Sequence, residues 1–146
     1  MDSAGSPSVW HVDDNPGDLE LVSIALDGCG IRLRSFLDGR VALDSLHAAR
    51  PEELPALLLL DIGMPGFDGL AFLRLVQAET RFGDLRVCVL TGGDVLGASE
   101  RVLNLGASRV LSKPKSVPEF QGLREAVLAA LSGSDPAAKE ARRGTR

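Results

Sequence analysis

The chain of 146 residues amounts to about one domain, large enough to bury a core without disulfide or metal staples. Hydrophobic residues at 45% and charged residues at 25% exclude wholesale disorder, and the longest apolar run, Ala56–Leu60, is far too short to span a bilayer. A formal net charge of −4 argues against a nucleic-acid footprint, and two cysteines without metal-ligand spacing suit a reducing cytoplasm.

Residues 1–7, rich in Ser, Gly and Pro, read as a flexible N-terminus, and 8–131 as the domain proper. The first strand is predicted at Val9–Val12. Asn15-Pro16 then reads as a cap with proline at the first helical position. Asp18 and Glu20 complement the positive end of a helix carrying Leu19, Val22, Ile24 and Leu26. Gly28 and Gly30 stop that helix. A second strand, Ile31–Phe36, precedes a second helix marked by Val41, Leu43 and Leu46. After the third strand, Ala56–Leu60, Asp68-Gly69 can open a third helix on Leu70, Leu73 and Val76. The fourth strand, Leu85–Leu90, leads past a cap at Asp94 to a helix with Val102, Leu103 and Leu105, stopped by Gly106. The fifth strand, Arg109–Leu111, precedes a last helix that begins at Pro118 and carries Phe120, Leu123, Val127, Leu128 and Leu131. Residues 132–146 hold four basic side chains and no large apolar one, so they read as a flexible basic tail.

Strand-length runs alternating with amphipathic helices predict a (βα)5 chain. Leu57–Leu60 and Val87–Leu90 are apolar at every position, which implies burial on both faces of a parallel sheet. Right-handed crossovers then give an α/β doubly wound, five-stranded, flavodoxin-like sheet of order 2-1-3-4-5. Ligands bind beyond the carboxyl ends of such strands.

Asp13-Asp14 follow strand one, Asp61 strand three, Thr91 strand four and Lys113 strand five. Strands one and three are neighbours in the predicted order, so three carboxylates should converge, repelling one another unless protonated or bridged by a cation. All-oxygen ligands with no His or Cys among them suit Mg²⁺ or Mn²⁺ rather than zinc. A carboxylate flanked by a cation, a hydroxyl and a lysine is equipped to accept a phosphoryl group. Taken alone, Asp13-Asp14 before Asn15-Pro16 would read as helix capping.

Four motifs, Val12-Asp13-Asp14-Asn15, Leu60-Asp61 through Asp68-Gly69, Leu90-Thr91-Gly92 and Lys113-Pro114, together resemble those of response regulator receiver domains of two-component signalling. The resemblance covers roughly residues 8–131. It implies that Asp61 is the phosphoacceptor for a phosphohistidine on a sensor histidine kinase or phosphotransfer protein. Asp14 would be the direct ligand to Mg²⁺ (or Mn²⁺), Asp13 would act largely through metal-bound water, and the Gly63 carbonyl would be a further ligand beside Asp61. Thr91, Gly92 and Lys113 would bind the phosphoryl group, Pro65 and Gly69 would be structural, and Pro114 would follow a cis bond.

The family usually carries an aromatic residue three positions before the lysine, where this chain has Val110. That departure puts the threonine–aromatic coupling in question. Gly63 and Gly93 imply an open site, and Val95 and Leu96 form a candidate partner patch. His11 reads as a core or strand-edge residue, His47 as a surface residue, Cys29 as a turn residue and Cys88 as a buried small hydrophobe. The expected function is a stand-alone cytoplasmic receiver, not an enzyme acting on external substrates, that signals by contact with an unknown downstream protein. It would engage neither nucleic acid nor membrane. A receiver fragment of a hybrid kinase is the alternative within the family. A haloacid-dehalogenase-like phosphatase is disfavoured because Asp61-Ile62-Gly63 lacks the second aspartate.

Overall fold

A computed structural model describes residues 6–63, 69–91 and 102–132. In chain order these form β1 (Ser8–Val12), α1 (Pro16–Leu26), β2 (Arg32–Phe36), α2 (Gly39–Ala48), β3 (Leu57–Asp61), α3 (Gly69–Ala78), β4 (Arg86–Thr91), β5 (Arg109–Ser112) and α4 (Val117–Ser132). All strands pair in parallel in the order β2-β1-β3-β4-β5, as predicted. Two short 3-10 turns, Pro51–Glu53 and Thr80–Phe82, were not foreseen. Of the helix predicted around Val102, Leu103 and Leu105, residues 102–104 are helical, and the preceding stretch with Asp94 lies outside the described residues.

The central strand explains the architecture. Leu57 to Leu60 are all fully buried, and burying each leucine is worth about 1.5–3 kcal/mol, so neither face of β3 tolerates water. One face packs with Trp10, Val12, Leu46, Phe72, Val76, Val87 and Val89, beneath α2 and α3. The other packs with Val9, Val22, Leu26, Cys88, Leu90, Leu123 and Val127, beneath α1 and α4, which pack against each other. On the first face the Arg34 guanidinium lies over both the Trp10 ring (5.0 Å) and the Phe36 ring (4.6 Å). There it shields part of the β2 side of the sheet.

Local chemistry sets the helix ends. The Asn15 side chain accepts the N–H groups of Gly17 and Asp18 (2.8 and 3.3 Å), and Pro16 begins α1. Asp38 caps α2 in the same way by accepting the Arg40 N–H at 2.7 Å. Gly28 and Gly30 leave α1 with φ of 79° and 74°, a region where a Cβ is strained.

Several expectations shift. Ile24 and Val41 are each 52% exposed, and Leu128 is 42% exposed. Small residues take their place at the seams: Ala25 on α1, Gly39 and Ala42 on α2, and Ala126 and Ala130 on α4. Three strands run one residue past their apolar runs, because Asp61, Thr91 and Ser112 still hold ladder positions. No cis peptide occurs among the described residues, so the bond before Pro114 is trans rather than cis. Lys113 is aimed into the site without the cis geometry that the resemblance implied.

Candidate functional site

Side-chain parity builds the site. Along β1, Val9 and His11 alternate with Trp10 and Val12, which carries Asp13 onto the α1/α4 side of the sheet. Along β3 the same alternation places Asp61 with Leu57 and Leu59, and beyond β5 it places Lys113 with Leu111. The register pairs Asp61 with Leu90 and Leu90 with Leu111, so the three charges emerge at one end of the sheet.

Asp13, Asp14 and Asp61 each offer an oxygen within 4.8 Å of the others. Asp13 is fully buried, Asp61 is 5% exposed and Asp14 is open to solvent. Two small turns hold the inner pair. The Asn15 N–H donates to Asp13 Oδ1 (3.0 Å), and the Gly63 N–H donates to Asp61 Oδ1 (2.9 Å). A third constraint comes from α3. A Cβ on Gly69 would lie 2.6 Å from Ile62 Cα, so only glycine lets this helix start against the backbone that follows Asp61. Gly63 differs, because a Cβ there would meet Asp61 Oδ1 at an ordinary 3.4 Å.

One positive charge beside the carboxylates is the protein's own. Lys113 Nζ lies 3.0 Å from Asp13 Oδ2, 3.1 Å from Asp61 Oδ2 and 2.8 Å from Asp18 Oδ2. Lys113 is anchored through its backbone as well, its N–H donating to the Thr91 carbonyl at 2.8 Å. Burial alone would lower the lysine pKa, but the three carboxylates outweigh it and raise it well above the usual lysine range. Burial pushes Asp13 upward too, and is outweighed by the His11 side chain, the Asn15 N–H and the Lys113 ammonium, so its pKa falls to about 2. For Asp61 burial wins: helped by the nearby Asp13 charge, it holds the pKa above the ordinary carboxylate value despite the Gly63 N–H and Lys113.

The structure thus brings together Asp13, Asp14, Asp61 and Lys113, and it places Thr91 at the end of β4 beside Ser112. Val110 lies half-buried against the core, in register with Val89. Gly92, Pro65, Val95 and Leu96 lie outside the described residues. Two site residues escaped the sequence reading. Asp18, which reads in the sequence as a helix-dipole residue, is the closest partner of Lys113. His11 lies in the core, in keeping with its sequence reading, but that reading placed no histidine at the site. It is fully buried between β2 and β3, with Nε2 3.7 Å from Asp13 Oδ2 and, among the described residues, no hydrogen-bond partner on either ring nitrogen. Parity with Asp13 was the available signal.

Residues 9–125 match the family described as Response regulator receiver domain. The chain is 35% identical over 117 residues to the DNA-binding transcriptional regulator NtrC of Escherichia coli, a match spanning 80% of this chain but 24% of NtrC. It is 29% identical over 113 residues to the polar-differentiation response regulator DivK of Brucella anthropi, covering 77% of this chain and 89% of DivK. Among solved structures, the Mn²⁺-bound form of response regulator Rcp1 superposes with a TM-score of 0.72 at 22% identity, over 84% of this chain and 92% of that one. No described helix is long and apolar enough to cross a membrane.

Proposed function

Because the chain belongs to the response regulator receiver family, we propose that it is a phosphoacceptor switch whose reacting group is the Asp61 carboxylate. The observation that carries this reading is the position of Asp61, on the central strand within 4.8 Å of the other two carboxylates and 3.1 Å from the Lys113 ammonium. An Asp61 oxygen attacks the phosphorus of a phosphohistidine on a sensor kinase or phosphotransfer protein. The P–N bond breaks, imidazole leaves, and an acyl phosphate remains on Asp61.

The donor set fits a hard divalent cation, since three carboxylate oxygens within 4.8 Å can share one ion. Asp13, Asp14 and Asp61, with the Gly63 carbonyl, would hold Mg²⁺ or Mn²⁺, and the Mn²⁺ bound by Rcp1 supports this assignment. Such an ion supplies charge neutralisation for the transferring phosphoryl oxygens. On the protein side Lys113 supplies a second positive charge, and the Thr91 hydroxyl with the Gly92 backbone would receive the phosphoryl group. The buried floor of Leu59, Leu90 and His11 keeps water from beneath the acyl phosphate.

Output passes through contact with another protein, with Val95 and Leu96 as part of the partner patch. The likeness to DivK, a polar-differentiation response regulator matched over 89% of its length, supports a signalling role. The test is intact-mass analysis after incubation with phosphoramidate and Mg²⁺. One phosphoryl adduct is expected on the wild type and none on Asp61→Asn; an adduct that persists in the variant moves the acceptor elsewhere.

A further inference from the structure

The Lys113 ammonium has three N–H donors and three carboxylates around it. Two of those carboxylates, Asp13 and Asp61, are consumed by the proposed chemistry. Asp13 is a cation ligand, and the Asp61 charge passes to the phosphoryl group when the acceptor is esterified. Asp18 takes part in neither event. It is also the closest partner: Lys113 Nζ donates to Asp18 Oδ2 at 2.8 Å and lies 3.0 Å from Asp13 Oδ2.

Both ends of this contact are held. Asp18 sits in the first turn of α1, its N–H bound by the Asn15 carbonyl (3.1 Å) and the Asn15 side chain (3.3 Å). Lys113 is fixed through its own N–H to the Thr91 carbonyl. The side chains are 24% and 14% exposed, so water competes little for the ammonium. A turn of α1 is therefore tied directly to the exit of β5, across 95 residues of sequence.

We propose that Asp18 is a positioning residue that keeps the Lys113 ammonium at the mouth of the pocket throughout the phosphorylation cycle. One N–H then becomes available to a phosphoryl oxygen as the Asp61 carboxylate is esterified. This rests on the phosphoacceptor reading of Asp61. Without Asp18, the Lys113 ammonium loses its closest partner and opens to water, away from the position that a phosphoryl oxygen needs.

Proton–nitrogen NMR of lysine ammonium groups tests the tether directly, in metal-free protein and in the beryllofluoride complex. A slowly exchanging Lys113 ammonium signal is expected in the wild type and in Asp61→Asn. It should be lost in Asp18→Asn and restored in Asp18→Glu. Labelling by phosphoramidate should slow roughly tenfold in Asp18→Asn, as for other displaced reacting groups, and recover in Asp18→Glu. Melting curves confirm that both variants are folded. A Lys113 signal retained in Asp18→Asn, or lost in both variants, overturns the tether. Wild-type protein that takes up no phosphoryl group overturns the phosphoacceptor reading instead, and the metal-free spectra still decide the tether by themselves.

Discussion

Replacing Asp13 and Asp61 one at a time by asparagine, in metal-free protein, separates charge from shape at the pocket. The amide oxygen of each asparagine can still accept the local backbone N–H, from Asn15 or from Gly63, so what is lost is the charge facing Lys113. Asp13 has its pKa lowered from 3.8 to about 2, and it is fully buried, so its ionised form favours folding. At about 1.4 kcal/mol per pH unit this contribution is about 2 kcal/mol. It is fully present above pH 3.8 and is lost as pH falls through about 2. Asp61 carries the opposite sign. Its pKa is raised by burial and by the Asp13 charge, so ionising it in the folded state costs stability at neutral pH, and that cost vanishes on acidification. Asp13→Asn should therefore lower the neutral-pH midpoint by roughly 4–8 °C, while Asp61→Asn should raise it. Thermal unfolding in EDTA, at neutral pH and again near the acid end of the Asp13 window, measures both and should show the difference collapsing. If Asp61→Asn destabilises while Asp13→Asn is neutral, the assignment of the two carboxylates around Lys113 is wrong.

Three further outcomes follow from the same geometry. Mg²⁺ at one hundred times its dissociation constant should stabilise the wild type by about 2.7 kcal/mol in thermal melts, and Asp14→Ala should abolish most of that gain. Gly69→Ala forces a Cβ against Ile62 Cα; it should cost about 1–3 kcal/mol in urea unfolding and slow phosphoramidate labelling by disturbing the turn after Asp61. Asn15→Ala removes the side-chain cap of α1 and should cost about 1 kcal/mol in the same assay.

The parts of the fold legible in sequence were those with a strong period. Leu57–Leu60 can only be a strand buried on both sides, and once the strand order is inferred, Asp13 and Asp61 must emerge side by side. What escaped depends on contacts between distant residues. No spacing rule links Asp18 to Lys113, since their meeting depends on where the first turn of α1 and the exit of β5 come to lie in the folded chain. The apolar positions Ile24 and Val41 misled because helix seams here are lined by alanine and glycine, which carry little hydropathy signal. The trans bond before Pro114 could not have been read from the dipeptide, because X-Pro bonds differ by only about 0.5–1 kcal/mol between isomers.

Trp10 is the only tryptophan of the chain, so all of its indole emission reports from one place. That place is 4% exposed, against Phe36 and under the Arg34 guanidinium, on the α2/α3 side of the sheet. Asp13 and Asp61 open on the opposite side, with the full thickness of β1 and β3 between. Intrinsic fluorescence is accordingly a faithful optical probe of unfolding and a nearly blind one for events in the acidic pocket. An emission change on adding Mg²⁺ or a phosphodonor would mean that the sheet itself had moved, and it would signal a conformational response rather than occupancy.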